Sequence, residues 1–345
     1  MISTYILIKI IIVVSVFLIS LLIAMYSTYA ERKVAAFMQD RIGPNRAGPF
    51  GILQPLADGV KMFMKEEIIP TNADKALFIL GPCVMMMTAC MTGVVIPWGN
   101  SLIIGGQEYM MQITDINIGI LYVFGVVSIG VYGIMIGGWA SNNKYSLMGA
   151  IRGSSQMISY ELAMGLAIIA LIMTTGTLSI REMVQQQHGA HWNVFYQPLG
   201  FLLFIICAFA ECNRTPFDLP ECETELVGGY HTEYSSMKLG FYLFAEYINM
   251  FISSAIIASL YFGGYNFPFL GSLGLSHNAL SLLGTAVFFG KIFFFIFLFM
   301  WVRWTIPRFR YDQLMHLGWR IMIPLALFNI LLTALVVLWR SGQLG

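Results

Sequence analysis

The chain has 345 residues, of which 58% are hydrophobic and only 11% charged, with a formal net charge of +1. A soluble globular domain carries about 25% charged residues, so this composition excludes one and points to a chain that crosses a membrane several times. The near-zero net charge supplies no electrostatic reason to bind nucleic acid.

Apolar stretches of about twenty residues suffice to cross a bilayer, and eight can be marked in chain order. The predicted spans are 5–30, 75–97, 116–138, 157–178, 198–211, 239–262, 280–302 and 320–339. The first is too long for a signal-peptide core and has no small-residue cleavage site, so it is expected to be retained. After it, "RIGPNRAGPFG" is dense in Gly and Pro and predicts a shaped turn rather than a helix. In "ILQPLADGVKMFMKEE", Ile52, Leu56, Val60 and Phe63 fall on one helical stripe, with Asp58, Lys61 and Lys65 on the opposite one. That pattern predicts an amphipathic helix lying at the membrane surface. Between spans four and five, "SIREMVQQQHGAHW" opens with Ser179 and Glu182 at capping-box spacing and predicts a short surface helix. Span five is the shortest, because Glu211 interrupts it. The expected architecture is all-α: one integral membrane domain over residues 1–345, with short amphipathic surface helices.

Basic residues orient such a chain. The loops after spans one, three, five and seven hold fifteen of the nineteen Lys and Arg residues, while the opposite face has only Lys9, Arg181 and Arg340. By the positive-inside rule those four loops face the cytoplasm or matrix, and both termini lie outside.

Charge within or beside the spans is the chemical signal. Glu161, Glu246 and Lys291 lie inside spans, and Glu31, Arg32 and Glu211 at span ends. Such groups usually face a protein interior or a wet cavity. At 1.5 Å rise per residue, Glu161 is expected about 6 Å and Glu246 about 10 Å into their spans from the cytoplasmic end. Glu31 beside Arg32 reads by default as a boundary ion pair, and Lys9 as a side chain that snorkels outward. Lys291 needs a partner, either a structural glutamate or a proton relay. Between spans five and six, "FDLPECETELVGGYHTEYS" gathers Asp218, Glu221, Glu223, Glu225 and Glu233. Carboxylates crowded at alternate positions repel one another and so hold protons more readily. Pro216, Pro220, Gly228 and Gly229 shape that loop.

No phosphate-binding loop, dinucleotide fingerprint or HExxH motif occurs. The five cysteines include no CxxC pair; Cys207, Cys212, Cys222 and His231 could be imagined around zinc, but read better as small apolar fillers. The chain is therefore expected to bind no metal, flavin, haem or iron–sulfur cluster by itself.

Four segments, "AERKVAAFMQDRIGPNRAGPFGILQPLADGVK", "AECNRTPFDLPECETELVGGYHTEYS", "FAEY" and "WVRWTIPRFRYDQLMHLGW", closely resemble the H-subunit family of respiratory complex I, the proton-pumping NADH:quinone oxidoreductase. The mitochondrial counterpart is called subunit 1. The likeness runs from about residue 25 to 320; Cys212 stands where the family pattern has Phe. The resemblance implies a subunit joining the membrane arm to the peripheral arm and forming the entrance and wall of the quinone tunnel. It would also couple quinone reduction to proton translocation. It assigns Glu31, Arg32, Arg41, Asp58 and Arg303 to the tunnel and Glu221, Glu223 and Glu225, with Asp218, to an acidic loop beside it. Glu161, Glu211, Glu233 and Glu246 fall on a path towards antiporter-like subunits, with Lys291 a further candidate. It implies quinone as substrate and no redox centre in this chain. Flavin and iron–sulfur clusters lie on partner subunits, and the other complex I subunits and membrane lipids are the partners. The location would be the bacterial inner membrane or the mitochondrial one. Two other classes remain open, a proton-coupled secondary transporter, which usually shows inverted repeats, and a purely structural anchor.

Overall fold

The computed structural model describes residues 2–189, 191–220, 227–268 and 274–340. Helix α1 (Ile2–Met38) leads through a 3-10 turn at Pro49–Gly51 into α2 (Gln54–Met64), and α3 (Lys75–Thr92) follows. Strands β1 (Ser101–Ile104) and β2 (Gln107–Met110) then form an antiparallel hairpin with Leu102 opposite Tyr109. The rest is α4 (Gly119–Ala140), α5 (Lys144–Thr175), α6 (Ile180–Gln186), α7 (Asn193–Tyr196), α8 (Pro198–Glu211), α9 (Ser236–Tyr261), α10 (His277–Thr305), α11 (Tyr311–His316) and α12 (Ile323–Arg340). A π-helical segment at Leu317–Met322 joins the last two. The protein is an all-α polytopic membrane protein; the hairpin is the one sheet among the described residues.

Seven described helices are long and apolar enough to cross a membrane: α1, α3, α4, α5, α9, α10 and the continuous α11–α12 segment. The eighth expected span is α8, an apolar helix of only 14 residues. Several helices overrun their predicted spans. Helix α1 runs on to Met38, carrying Glu31 and Arg32 on regular helix. Helix α5 begins at Lys144, capped by Asn143, whose side chain accepts from the Tyr145 N–H at 2.9 Å. Glu161 therefore lies about 25 Å from the start of its helix, at 1.5 Å per residue. The cause is that "KYSLMGAIRGSSQM" is too polar to register as a span yet holds no proline.

Local chemistry sets the boundaries. The Asp74 carboxylate caps α3 by accepting from Ala76 and Leu77 N–H at 3.0 and 3.3 Å, satisfying donors that a helix start leaves open. Helix α5 ends at Gly176, in the left-handed region at φ 71°, where glycine carries no steric penalty. Ser179 caps α6 by accepting from the Glu182 N–H, but the box is not reciprocal, because the Glu182 carboxylate accepts from Thr177. In the Gly/Pro turn, Gly51 has φ 80°, and a Cβ there would run into the Pro44 carbonyl.

The core lies where α3, α4, α5, α8 and α9 meet. Tyr160, Tyr230, Tyr242, Phe251 and Phe78 are fully buried in it. Glycines let these helices touch: a Cβ on Gly137 would collide with the Tyr242 hydroxyl, which donates to the Gly133 carbonyl at 3.1 Å. Small residues at such contacts are the usual way membrane helices approach closely. Lys9 does more than snorkel outward. Its ammonium donates to the Gln112 and Ile113 carbonyls at 2.7 and 3.0 Å, fastening α1 to the segment after the hairpin.

A charged cavity joined to buried carboxylates

Where α1 passes α2, α9 and α10, a cavity of about 280 Å³ opens among charged side chains. Glu31, Arg32, Asp58, Arg214, Tyr247 and Arg303 contribute its polar wall; Met25, Phe244 and Trp304 are part of its apolar one. Glu31 is the hub. Its carboxylate pairs with Arg303 at 2.5 Å, accepts from the Tyr247 hydroxyl at 2.8 Å and lies 3.8 Å from Arg214. The residue is 6% exposed, so its pairing is not screened as a surface pair's would be.

Arg214 extends the network inward. Its guanidinium lies 4.1 Å from the Tyr247 ring centroid and reaches Glu246 at 3.4 Å. Glu246 is 1% exposed and also accepts from the Tyr230 hydroxyl at 3.2 Å. One arginine thus touches both a carboxylate on the cavity wall and one in the core. A planar guanidinium suits this, because it can stack on a ring while donating in two directions.

Arg214 is placed by its loop. Gln156 on α5 donates to the Ala210 and Phe217 carbonyls at 2.9 and 2.7 Å. The Phe309 N–H donates to the Pro216 carbonyl at 3.2 Å, and the buried Asp218 carboxylate pairs with Arg308 at 2.8 Å. The "NRTPFDLP" segment is therefore fixed from both sides. Against Phe78 and Tyr242, burial pushes the Tyr234 hydroxyl up to about 12. It stays protonated and donates to the Phe78 carbonyl at 3.0 Å.

The remaining sequence-predicted residues divide. Glu31 and Arg32 are adjacent but not paired to each other, because neighbouring helical positions do not face one another. Arg32 instead pairs with Asp58 at 2.6 Å, and Asp58 also accepts from Gln54 at 3.0 Å. Arg41 does not join them: it is exposed on the Gly/Pro turn and does not line the cavity. Glu161 accepts from the Ser128 hydroxyl on α4. Glu211, 7% exposed, borders two cavities of about 30 Å³ each, one lined also by Thr88, Asn249 and Ser253. Glu233 accepts from the Asn143 amide at 2.6 Å. Glu221, Glu223 and Glu225 lie outside the described residues.

Lys291 corrects an expectation. No described carboxylate pairs with it; its ammonium donates to the Phe262, Gly264 and Asn266 carbonyls at 2.7, 2.7 and 2.8 Å. These follow the end of α9, where the helix dipole favours a cation, and Trp192 lies 5.3 Å from the ammonium. Cys207 and Cys212 are buried thiols, and no group of three His, Cys, Asp or Glu among the described residues is placed to hold a metal.

The residues missed in the sequence are Arg214 and Tyr247, together with the hydroxyl and amide partners Ser128 and Asn143. Arg214 gave one signal: it is a lone cation in a Pro-shaped segment directly after an apolar helix that ends in Glu211.

A polytopic helical bundle with a charged cavity at one end and carboxylates in its core defines a class, that of membrane proteins which bring polar chemistry to the bilayer. Within that class the sequence is specific. The profile of the NADH dehydrogenase family matches residues 8–334. The first of the NADH-quinone oxidoreductase H subunits of Cytophaga hutchinsonii is 74% identical over 330 residues, 96% of each chain. The H subunit of Flavobacterium johnsoniae is 63% identical over 97% of each chain, and the second H subunit of Geobacter metallireducens 48% over 94%. The chain belongs to the H-subunit family of NADH-quinone oxidoreductase.

Proposed function

We propose that the chain is the membrane subunit of NADH-quinone oxidoreductase, respiratory complex I, that receives the quinone and couples its reduction to proton movement. The observation that carries this reading is Arg214, which contacts Glu31 on the cavity wall and Glu246 in the core. The cavity supplies apolar surface from Met25, Phe244 and Trp304 for a quinone's body and fixed charge for its polar head. A quinone that gains electrons takes up protons, and its charge in transit would compete with Glu31 for Arg303 and Arg214. A carboxylate released from such a pair holds its proton more tightly, so redox chemistry in the cavity would change proton occupancy at Glu31 and, through Arg214, at Glu246. Glu161, Glu211 and Glu233 would continue the route, with Asp218 and the acidic residues Glu221, Glu223 and Glu225 beside it. Lys291 takes a structural role instead, satisfied by three carbonyls.

Quinone is the substrate in this reading, and electrons reach it from flavin and iron–sulfur clusters on partner subunits. The chain would sit in a bacterial inner membrane, with its basic loops and the charged cavity inside and both termini outside.

Glu161→Gln is the test, because Gln keeps the shape and the bond from Ser128 but cannot ionise. The variant should assemble and keep NADH oxidation by an acceptor that takes electrons at the flavin. Quinone reduction and proton pumping should fall together, since a tightly coupled machine cannot turn over with its proton route cut. Wild-type quinone reduction and pumping per assembled complex would overturn the assignment.

A further inference from the structure

A second cavity, of about 320 Å³, lies at the opposite end of α1 and is lined almost wholly by apolar side chains. One wall is a single stripe of α1: Ile8, Ile11, Ile12, Ser15, Val16 and Ile19 recur at helical spacing. The facing wall is aromatic, with the Trp98 ring 5.5 Å from that of Phe251 and 6.0 Å from that of Phe289. Leu102, Tyr109 and Met111 of the hairpin segment close its outer end. Ile11 and Ile104 line it and are also 54% and 52% exposed, so the slot opens sideways to whatever surrounds α1.

Lys9 staples the outer end of α1 to the Gln112 and Ile113 carbonyls, leaving a gap between the helix and the α9–α10 wall. Protein interiors contain few voids larger than a water molecule. Water gains nothing in an apolar one, and an empty one forfeits dispersion contacts on every wall. From Ile8 to Ile19 the slot runs about 16 Å along the helix, close to the roughly 15 Å of hydrocarbon in one leaflet. At its outer end, Arg181 and Asp115 lie within electrostatic reach of the Lys9 ammonium. Lys9 and Arg181 are the cations that a phosphate at that end would meet.

We infer that this slot is a binding site for one phospholipid of the outer leaflet, with an acyl chain between α1 and the aromatic wall and the phosphate near Lys9 and Arg181. The lipid completes the packing of α1, which the protein alone leaves unfilled. A quinone with its ring among Glu31, Arg214 and Arg303 would have its head at the other end of α1, so the slot is separate from the charged cavity, and the inference does not rest on the function proposed above.

The test is photolabelling of the assembled complex in its native membrane. A phosphatidylglycerol with a diazirine in one acyl chain should form adducts within residues 8–19 and 102–111. Excess unlabelled phosphatidylglycerol should compete, and a short-chain quinone should not. Filling the slot with Ser15→Phe should reduce the adduct about tenfold and leave assembly and quinone reduction unchanged. Absence of adducts in those segments of the wild-type complex would overturn the site, whatever the variant does. Labelling there by a diazirine-tailed quinone but not by the lipid would overturn the choice of ligand. An undiminished adduct in an assembled Ser15→Phe complex would show that the label lies on the outside of α1 and not in the slot.

Discussion

At the scale of single residues, burial turns ordinary ion pairs into decisive ones. Arg214 is 5% exposed, and Glu31 and Glu246 are also buried. Removing one member of a buried pair typically costs about 3–5 kcal/mol, because the other charge stays behind in a poor solvent. Arg214→Met should therefore lower the yield of assembled complex sharply, and quinone reduction per surviving complex should fall as well. Blue-native gels with activity normalised to assembled complex check both, and wild-type values in both would remove Arg214 from the network. Lys291 provides the contrast. Lys291→Met strips three carbonyls of their donor, at roughly 1–3 kcal/mol for a buried polar group left unsatisfied. The expected result is a lower melting temperature with unchanged quinone reduction and pumping per complex. A loss of turnover at unchanged stability would return Lys291 to the proton route.

Between elements, contact distance decides more than hydrophobicity does. The α3, α4 and α9 helices approach so closely at Gly137 that a methyl group there has no room beside Tyr242. Gly137→Ala should destabilise by about 1–3 kcal/mol, as overpacking does, and should loosen the Tyr242 bond to Gly133. Gly125, on the same helix, has nothing within 4 Å of a built Cβ. Gly125→Ala should be neutral or slightly stabilising, because alanine loses less backbone freedom than glycine. Thermal denaturation of the two purified variants makes the comparison, and equal shifts would contradict the close packing. Helix α2 shows the reverse case: Leu56, Val60 and Phe63 are 48, 61 and 72% exposed, so its apolar stripe faces outward and contributes little to the chain's own core.

For the whole molecule, the distribution of Lys and Arg predicts which end of the bundle lies inside. The charged cavity and the hairpin slot sit at opposite ends of α1, so the two ends should differ in access. Single cysteines introduced at 44–49 should react only with thiol reagents supplied on the inside, and those at 105–110 only with reagents supplied outside, once the native cysteines are replaced. Labelling of both groups from one side would overturn the orientation. Much of this scale was readable beforehand, since hydropathy and charge bias act on a chain one segment at a time. The long start of α5 was less so, whereas α8 keeps the bounds predicted for span five. Neighbouring helices bury Ser146, Ser154 and Gln156, and no window of sequence contains those neighbours.

The sequence by itself determined the class of the protein, its apolar helices, the turn chemistry at 41–51 and the carboxylates that stand where charge is costly. Those features are local: solvation of a stretch of chain and the backbone preferences of Gly, Pro and capping residues act within a few positions. Tertiary structure alone decided which charge meets which. Glu31 looks to Arg303 and Arg214 rather than to its neighbour Arg32, Asp58 to Arg32 rather than Arg41, and Lys291 to carbonyls rather than to a glutamate. Partners far apart along the chain meet only where the packing of helices aligns their faces, and that packing depends on small residues such as Gly137 fitting against rings such as Tyr242.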